Sequence, residues 1–275
     1  MDMYRKKVRP VIFITLISLA FFNTGFLGFG NQKQEKQGIG ERFHAETSLT
    51  WRSALTDIVS KKPAQPSQYK TYAGAKKIQL PEPGFSGMLF EEAIKRRRSM
   101  REYTSEKMNR GQVSQLLFAA QGITGKIYGH HLRTAPSAGA LYPFEIYVFI
   151  MNVDGFEQGI YHYAVREHAL ELVKKGAFRS ELTSAGLEQD MLGTADITFV
   201  LSAIFDRARF KYKERGFRYI YMEAGHISQN IALQAVSLGL GSVSVGAFID
   251  DKMNQIIGVD GRREAAIYLH AIGTI

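Results

Sequence analysis

The sequence predicts an α+β domain, with a central sheet between layers of helices. The first observation is that apolar strand-like segments alternate with helical patterns along most of the chain. The second is one long helical pattern over Tyr219–Leu238, in which Ile220, Ala224, Ile227 and Ile231 follow one another at helical spacing. This segment is rich enough in apolar residues to be a central helix.

Composition sets limits on the class of protein. The 275 residues are 45% hydrophobic and 12% aromatic, which is enough for a buried core. The net charge of +9 favours anionic ligands, but it is too small to indicate nucleic acid. The sequence has no cysteine, which excludes disulfides, thiol catalysis and cysteine-held metals. Since no carboxylate stands at ligand spacing from the adjacent His130 and His131, we expect no metal site.

The first thirty residues have the pattern of an export segment. A basic start precedes Val11–Gly30, which is almost uninterrupted in its apolar character. This length fits either a cleaved signal peptide or a retained membrane anchor of about 20 residues. The basic start places the body outside the cytoplasm. We therefore expect an exported protein of the cell envelope, with residues 1–30 either removed or anchoring it.

Two proline-containing breaks separate this segment from the main domain. Residues 31–86 form a polar linker and a helix-prone arm, which is interrupted at Pro63–Pro66 and again at Leu80–Gly84. The main domain is therefore placed at residues 87–275.

The main domain begins with two helical patterns. The first, Met88–Arg97, has Leu89, Ala93 and Ile94 on one face, and the second covers Val113–Ala120. Strands and a further short helix follow. The predicted strands are Phe144–Met151, Gly159–Tyr163, Ala169–Val173, Asp196–Phe205, Ser242–Phe248 and Glu264–Ile272, and the short helix starts near Asp250.

A loop of small residues leads into the first of these strands. Pro136, Ser137 and Gly139 would let a flat ligand lie close to the backbone. The alternative is an ordinary turn before a strand. The arginine cluster Arg96–Arg101 is equally open to two interpretations, because guanidinium groups bind phosphate oxygens but charge runs are commonly solvated surface.

Two further segments have ambiguous motifs. Arg207–Tyr219 alternates cations with aromatic residues, as in single-strand nucleic-acid binders, but a helix entrance beside an anionic cofactor has the same pattern. Gly239 and Gly241 follow a helix and precede a strand. This order is the reverse of a dinucleotide-binding loop, so a Rossmann site is rejected.

Taken together, these blocks resemble the nitroreductase superfamily, and more narrowly its SagB/ThcOx-type dehydrogenases, which oxidise azolines to azoles in modified peptides. The similarity covers residues 41–275 with every block in order. Its blocks are Phe43-His44-x-x-Thr47, Tyr69-Lys70-x-Tyr72, Arg97-Arg98-Ser99-x-Arg101, Pro136-Ser137-Ala138-Gly139-x-x-Tyr142-Pro143, Glu223-Ala224-Gly225-His226-x-x-Gln229-Asn230, and Gly239-Leu240-Gly241 leading to Gly246-Ala247-Phe248.

The resemblance implies a three-layer fold with a mixed or antiparallel sheet, and FMN bound at a homodimer interface. It assigns the FMN phosphate and ribityl chain to Arg97, Ser99 and Arg101, with Arg98 as a further candidate. Other residues would lie along the two sides of the isoalloxazine ring, with a backbone N–H near N5. These are Pro136, Ser137, Ala138 and Gly139 on one side and Val245, Gly246 and Ala247 on the other.

The resemblance also implies a catalytic pair, Lys211 and Tyr212. Neighbouring arginines would lower the pKa of Lys211, so that it could remove a substrate proton as hydride passes to the flavin. The substrate is expected to be a small molecule or a peptide, NADH or NADPH is a possible electron donor, and no nucleic-acid partner is expected.

Two features depart from the family pattern. Many members have a cation after the glycine of the last strand, whereas Thr274 and Ile275 follow Gly273 here, so Arg262 or Arg263 is considered as a substitute. An exported chain also suggests a substrate other than a ribosomal peptide. Two alternatives stay open: a flavin-binding protein without turnover, and a basic protein that binds membrane surfaces or polyanions.

Overall fold

The computed structural model describes residues 38–51, 63–127 and 129–275. The predicted export segment lies outside these residues. Contacts divide the chain into two compact units, Met1–Arg42 and Phe43–Ile275. No helix in the described ranges is both long and apolar enough to cross a membrane.

Helices and strands alternate along the chain, as the sequence predicts. In order, they are α1 (Ile39–Glu46), β1 (Lys77–Gln79), α2 (Phe90–Arg96), α3 (Arg110–Gln121), β2 (Ile123–Ile127), β3 (His130–Arg133), β4 (Phe144–Ile150), β5 (Gly159–Ala164), β6 (Ala169–Lys175), α4 (Arg179–Ala185), α5 (Asp190–Thr194), β7 (Ile197–Ile204), α6 (Asp206–Tyr212), α7 (Gly216–Ser237), β8 (Leu240–Val245), α8 (Asp250–Ile257) and β9 (Glu264–Thr274).

Seven of the strands form one sheet in the order β1-β6-β5-β4-β7-β9-β8, and every pair in it is antiparallel. β2 and β3 form a separate hairpin. All seven residues of β4 are buried, because both faces of the sheet are covered. This explains why β4 is apolar throughout and does not alternate with polar residues.

Each face of the sheet has its own hydrophobic core. On one face, buried side chains of α3 and α7 pack on strand residues such as Phe144 and Phe199. On the other face, α4, α5 and α8 cover residues such as Tyr147 and Phe149. The predicted three-layer α+β architecture is therefore confirmed.

Helix α7 has the central position that its periodicity predicts. Ile220, Ala224, Ile227 and Ile231 are all buried, and the helix leads directly into β8 through a turn at Gly239, where φ is +70°. β8 is the edge strand beneath α7, and Ser228 of the helix bonds Ser244 of the strand at 2.8 Å. α7 and β8 form the frame of the candidate site.

The predicted inward face of α2 is wrong in part. Ala93 is buried, but Leu89 is 73% exposed and Ile94 is 52% exposed. Helical spacing shows which side of a helix is apolar but not which surface covers it. Residues of the predicted arm also enter the sheet, since β1 pairs with β6. A strand of three residues is too short to give a pattern.

Candidate functional site

The predicted catalytic pair lies directly against the predicted ring-binding loop. Gly139 has a φ of +64°, and a Cβ atom added to it would lie 2.7 Å from both Lys211 Nζ and Tyr212 Oη. Both polar atoms therefore converge on one glycine of the Pro136–Gly139 loop. The Lys211 ammonium also lies 5.3 Å from the centre of the Tyr212 ring.

Lys211 and Tyr212 are in the last turn of α6, which a buried arginine anchors. One turn earlier, Arg207 is 2% exposed, and its Nη2 atom lies 2.6 Å from Glu145 Oε1 of β4. Its Nε donates to the Ser67 carbonyl at 2.6 Å, and its Nη1 donates to the Tyr142 carbonyl at 3.2 Å. One guanidinium thus joins α6 to β4, to the arm and to the end of the loop.

A cavity of about 450 Å³ opens beside the catalytic pair. It is enclosed by the arm, the β2–β3 hairpin, the loop and α6. Its walls are mostly apolar, with polar groups on three sides, so it can accept an apolar molecule near Lys211. The lining residues are Gln65, Ile127, His130, Leu132, Gly139, Ala140, Leu141, Phe210 and Lys211.

Behind the Pro136–Gly139 loop lies a buried carboxyl group. Its residue, Glu223, begins one of the sequence blocks that resemble the family, but the resemblance gives it no role. Glu223 of α7 is 2% exposed and faces the Ser137 hydroxyl. Burial raises the pKa of Glu223 to about 8, against the opposing effects of Ser137, Arg133 and Gln121. The Ser137 hydroxyl oxygen also accepts the Tyr142 backbone N–H at 2.9 Å.

The predicted phosphate-binding segment bonds the free edge of β8 at Met100 and then the end of β9 at Thr104. The Met100 backbone N–H donates to the Ser242 carbonyl at 2.9 Å, and the Thr104 N–H donates to the Thr274 carbonyl at 2.8 Å. Arg97 is half-buried, while Ser99 and Arg101 are exposed. Within the described ranges, no carboxylate pairs with Arg97 or Arg101, so both guanidinium groups are available to an anion.

Arg98 differs from these two arginines. It lines a separate cavity of about 430 Å³ with Arg96, Met100 and Gly239, a cavity that Arg97, Ser99 and Arg101 do not line. Its Nη1 donates to the carbonyls of Lys95 and Arg97. Alternation of side chains along an extended segment accounts for the separation.

The third group of predicted ligands lies at the other end of β8. Val245 ends the strand and is buried, whereas Gly246 and Ala247 are exposed. Gly246 is roughly 13 Å along the chain from Ser242, the residue that bonds Met100. The arginine segment and Val245–Ala247 therefore lie along one edge strand.

The proposed substitutes for the missing terminal cation lie elsewhere. Arg262 and Arg263 precede β9, whereas Thr274 ends this 11-residue strand, roughly 33 Å away. Their backbone N–H groups bond Asp260. Within one protomer, neither arginine can reach the segment beside Thr274.

The cations of Arg207–Tyr219 are mostly engaged by the protein itself. Arg207 pairs with Glu145, Arg209 with Asp206 and Glu214, and Arg218 bonds Thr47. A surface for polyanions needs free cations, so this pattern is better explained by internal pairing. In the described part of the chain, no group of three or more candidate ligand residues could hold a metal.

Comparisons with known proteins define the family. The nitroreductase family model matches residues 94–274. The chain is 39% identical over 196 residues to MJ1384 of Methanocaldococcus jannaschii, whose name as a nitroreductase is provisional, and this match covers 71% of the chain and 95% of MJ1384. The chain belongs to the nitroreductase family, as the sequence blocks indicate.

A second relative supports the narrower resemblance. The Escherichia coli microcin B17-processing protein McbC is 32% identical over 148 residues, which are 52% of this chain and 54% of McbC. A crystal structure of a provisionally assigned nitroreductase from Anabaena variabilis has the same fold, with a TM-score of 0.70 and 25% identity, over 86% of this chain and 46% of that one. The chain thus spans about half the length of these two proteins.

Proposed function

We propose that this protein is an FMN-dependent oxidoreductase that transfers a hydride between flavin N5 and a small-molecule or peptidic substrate. The observation that carries the proposal is the convergence of Lys211 Nζ and Tyr212 Oη on Gly139. A catalytic pair and a loop suited to a flat ring meet there beside a cavity. Membership of the nitroreductase family supports the reaction class.

The chain's own residues fit FMN. Arg97 and Arg101 are cations without a carboxylate partner among the described residues, as a phosphate site requires. Gly139 brings the loop backbone against Lys211 and Tyr212, where any side chain would clash with them, and Gly246 and Ala247 expose backbone at the end of β8. When bound, FMN would supply N5 as the hydride acceptor or donor.

In this proposal, Lys211 acts as the base. Its Nζ would take the proton from the substrate carbon next to the one that loses hydride, and Tyr212 Oη, equally close to Gly139, would orient the substrate. The apolar walls of the adjoining cavity would hold the substrate and exclude water. McbC is named as a processing protein of microcin B17, which makes a peptide a reasonable substrate class to test.

We further propose a homodimer. Apolar side chains are exposed on two helices, with Leu89, Phe90 and Ile94 on α2 and Tyr221 and Met222 on α7. Exposed apolar surface of this kind is commonly found at protein–protein interfaces. Sedimentation should give a dimer mass, and Met222→Lys should shift the protein towards monomer. A wild-type monomer at micromolar concentration would contradict this.

The decisive experiment is the absorption spectrum of protein expressed from residue 31, before and after addition of FMN, followed by NADH or NADPH. We expect flavin bands that bleach on reduction. Protein that takes up no FMN would overturn the proposal. Flavin that binds, but whose rates of reduction and reoxidation are unchanged by Lys211→Ala, would favour the binding protein without turnover.

The cellular location is proposed from the apolar pattern of residues 11–30 alone. Mass spectrometry of envelope and cytosolic fractions would test it. We expect the chain in the envelope, starting at Met1 or near Asn31, and an intact chain confined to the cytosol would contradict export.

A further inference from the structure

Glu223 is a buried titratable group that the proposed reaction does not use. It lies on the inner face of α7 and is 2% exposed, yet no cation of the described residues forms an ion pair with it. Its Oε1 atom has no hydrogen-bond partner there, and the same is true of Gln121 Nε2 and Arg133 Nε. Such orphaned polar atoms are uncommon in protein interiors, and each calls for an explanation.

The groups that face Glu223 come from three elements. Gln121 ends α3, Arg133 ends β3, and Ser137 belongs to the Pro136–Gly139 loop. Arg133 is the charged group among them, and it is committed elsewhere: its Nη1 donates to Gln121 Oε1 at 3.1 Å, and its Nη2 donates to the Gln68 carbonyl at 3.0 Å. An ionised Glu223 would therefore be a buried charge without a direct counter-ion.

Charged groups farther from Glu223 act on Arg133 rather than on Glu223 itself. Glu145 of β4 attracts Arg133, and Arg207 of α6 repels it. These two pair with each other at 2.6 Å. The pKa of the Glu223 carboxyl is thus set mainly by burial and by its contact with Ser137.

The hydrogen-bond capacity of Ser137 makes that contact important. A serine hydroxyl has one donor and two acceptor positions. The Tyr142 backbone N–H occupies one acceptor position. A protonated Glu223 can donate to the other, which leaves the Ser137 hydrogen free to bond a ligand on the open side of the loop. An ionised Glu223 can only accept, so it draws the Ser137 hydrogen to itself.

We propose that Glu223 is a positioning residue whose bound proton makes Ser137 a hydrogen-bond donor to the cofactor, so that the site binds FMN more tightly when Glu223 is protonated. This inference rests on the proposed function, which places the Pro136–Gly139 loop along the flavin. When Glu223 ionises, its proton passes to solvent. The pKa of about 8 places the transition in an accessible pH range.

The test is the dissociation constant for FMN, measured by flavin fluorescence between pH 6.5 and 9.5. Wild-type affinity should weaken about 3- to 10-fold as Glu223 ionises, the equivalent of one neutral hydrogen bond. Glu223→Gln should remove this change, because an amide donates to Ser137 at every pH. Glu214→Gln, at an exposed glutamate, is the matched control and should keep the wild-type profile.

Ser137→Ala provides a second variant in case Glu223→Gln does not fold. It should bind FMN at the weakened level throughout, again without the transition. Parallel pH profiles for wild type, Glu223→Gln and Ser137→Ala would overturn the inference while FMN binding itself stands. Absence of FMN binding at every pH would instead overturn the proposed function.

Discussion

The two ends of the candidate site are built differently. At Gly139, Lys211 and Tyr212 are held against the loop, and Ser137 and Glu223 close it from behind. Along β8, by contrast, Ser99, Arg101, Gly246 and Ala247 are exposed. The first end is organised by contacts within the protein, whereas the second presents exposed cations and exposed backbone.

This difference has an energetic reason. Cations without partners remain solvated at little cost, whereas burying them before the anion arrives would be costly. A catalytic group, in contrast, must be in place before substrate binds, since small displacements reduce rates strongly. We therefore expect variants at the Gly139 end to alter rate and stability, and variants along β8 to alter cofactor affinity.

The largest effect is expected at Lys211. Lys211→Ala should lower kcat by about 100- to 10,000-fold, because it removes the proposed base, while FMN affinity changes little. Steady-state rates against pH with a thiazoline-containing peptide would measure this. The wild-type profile should have a limb that the variant lacks. Arg209→Ala, which removes an exposed cation from the same helix, is the control. An unchanged pH profile in Lys211→Ala would show that Lys211 is not the base.

The second-largest effect is expected when two pairs of arginines are compared, Arg97 with Arg101 and Arg96 with Arg98. Arg97→Ala combined with Arg101→Ala should weaken FMN binding by at least about 100-fold, since two charge-assisted contacts are lost. Arg96→Ala combined with Arg98→Ala removes the same charge from the cavity beside Gly239 and should have a much smaller effect. Equal losses in the two double variants, measured by equilibrium dialysis, would show that only net charge matters.

The third effect concerns the contact between the loop and the catalytic pair. Gly139→Ala should lower the free energy of unfolding by roughly 1–2 kcal/mol, because its positive φ is strained and Lys211 Nζ and Tyr212 Oη, at the ends of their side chains, must shift. Gly74→Ala is the matched control. Gly74 has a φ of +77° but open space around it, so we expect only about 1 kcal/mol. Similar urea unfolding midpoints for Gly139→Ala and Gly74→Ala would mean that Lys211 and Tyr212 move aside easily.

The periodic elements of the fold could be predicted from sequence. α7 and the strands β4 to β9 are long or apolar enough to show their periods, and the predicted bounds agree within about four residues. The short helices α4 and α5 and the hairpin β2–β3 were missed, because few residues give no clear period. The exposed face of α2 was assigned to the core because its apolar spacing is the same whichever surface covers it.

The sequence named candidate site residues but did not indicate how they are arranged. The motif blocks located the Pro136–Gly139 loop and Lys211, but their contact depends on Arg207 anchoring α6 to β4 and the arm. No local pattern indicates that Arg207 is buried, since it stands at the start of a cation-rich segment. Glu223 stood within a recognised block, yet only its burial distinguishes it from a solvated helical glutamate.

The smallest effect tests whether affinity along β8 depends on position. Arg262→Ala combined with Arg263→Ala removes two exposed cations near the start of β9, roughly 33 Å along that strand from Thr274. Their backbone N–H groups hold the turn through Asp260, and this contact survives the substitutions. FMN affinity should therefore stay within about twofold at physiological ionic strength, because the separation is several Debye lengths. A loss approaching that of the Arg97 and Arg101 double variant would place these arginines at the phosphate, and the partner protomer would then be the only route by which they could reach it.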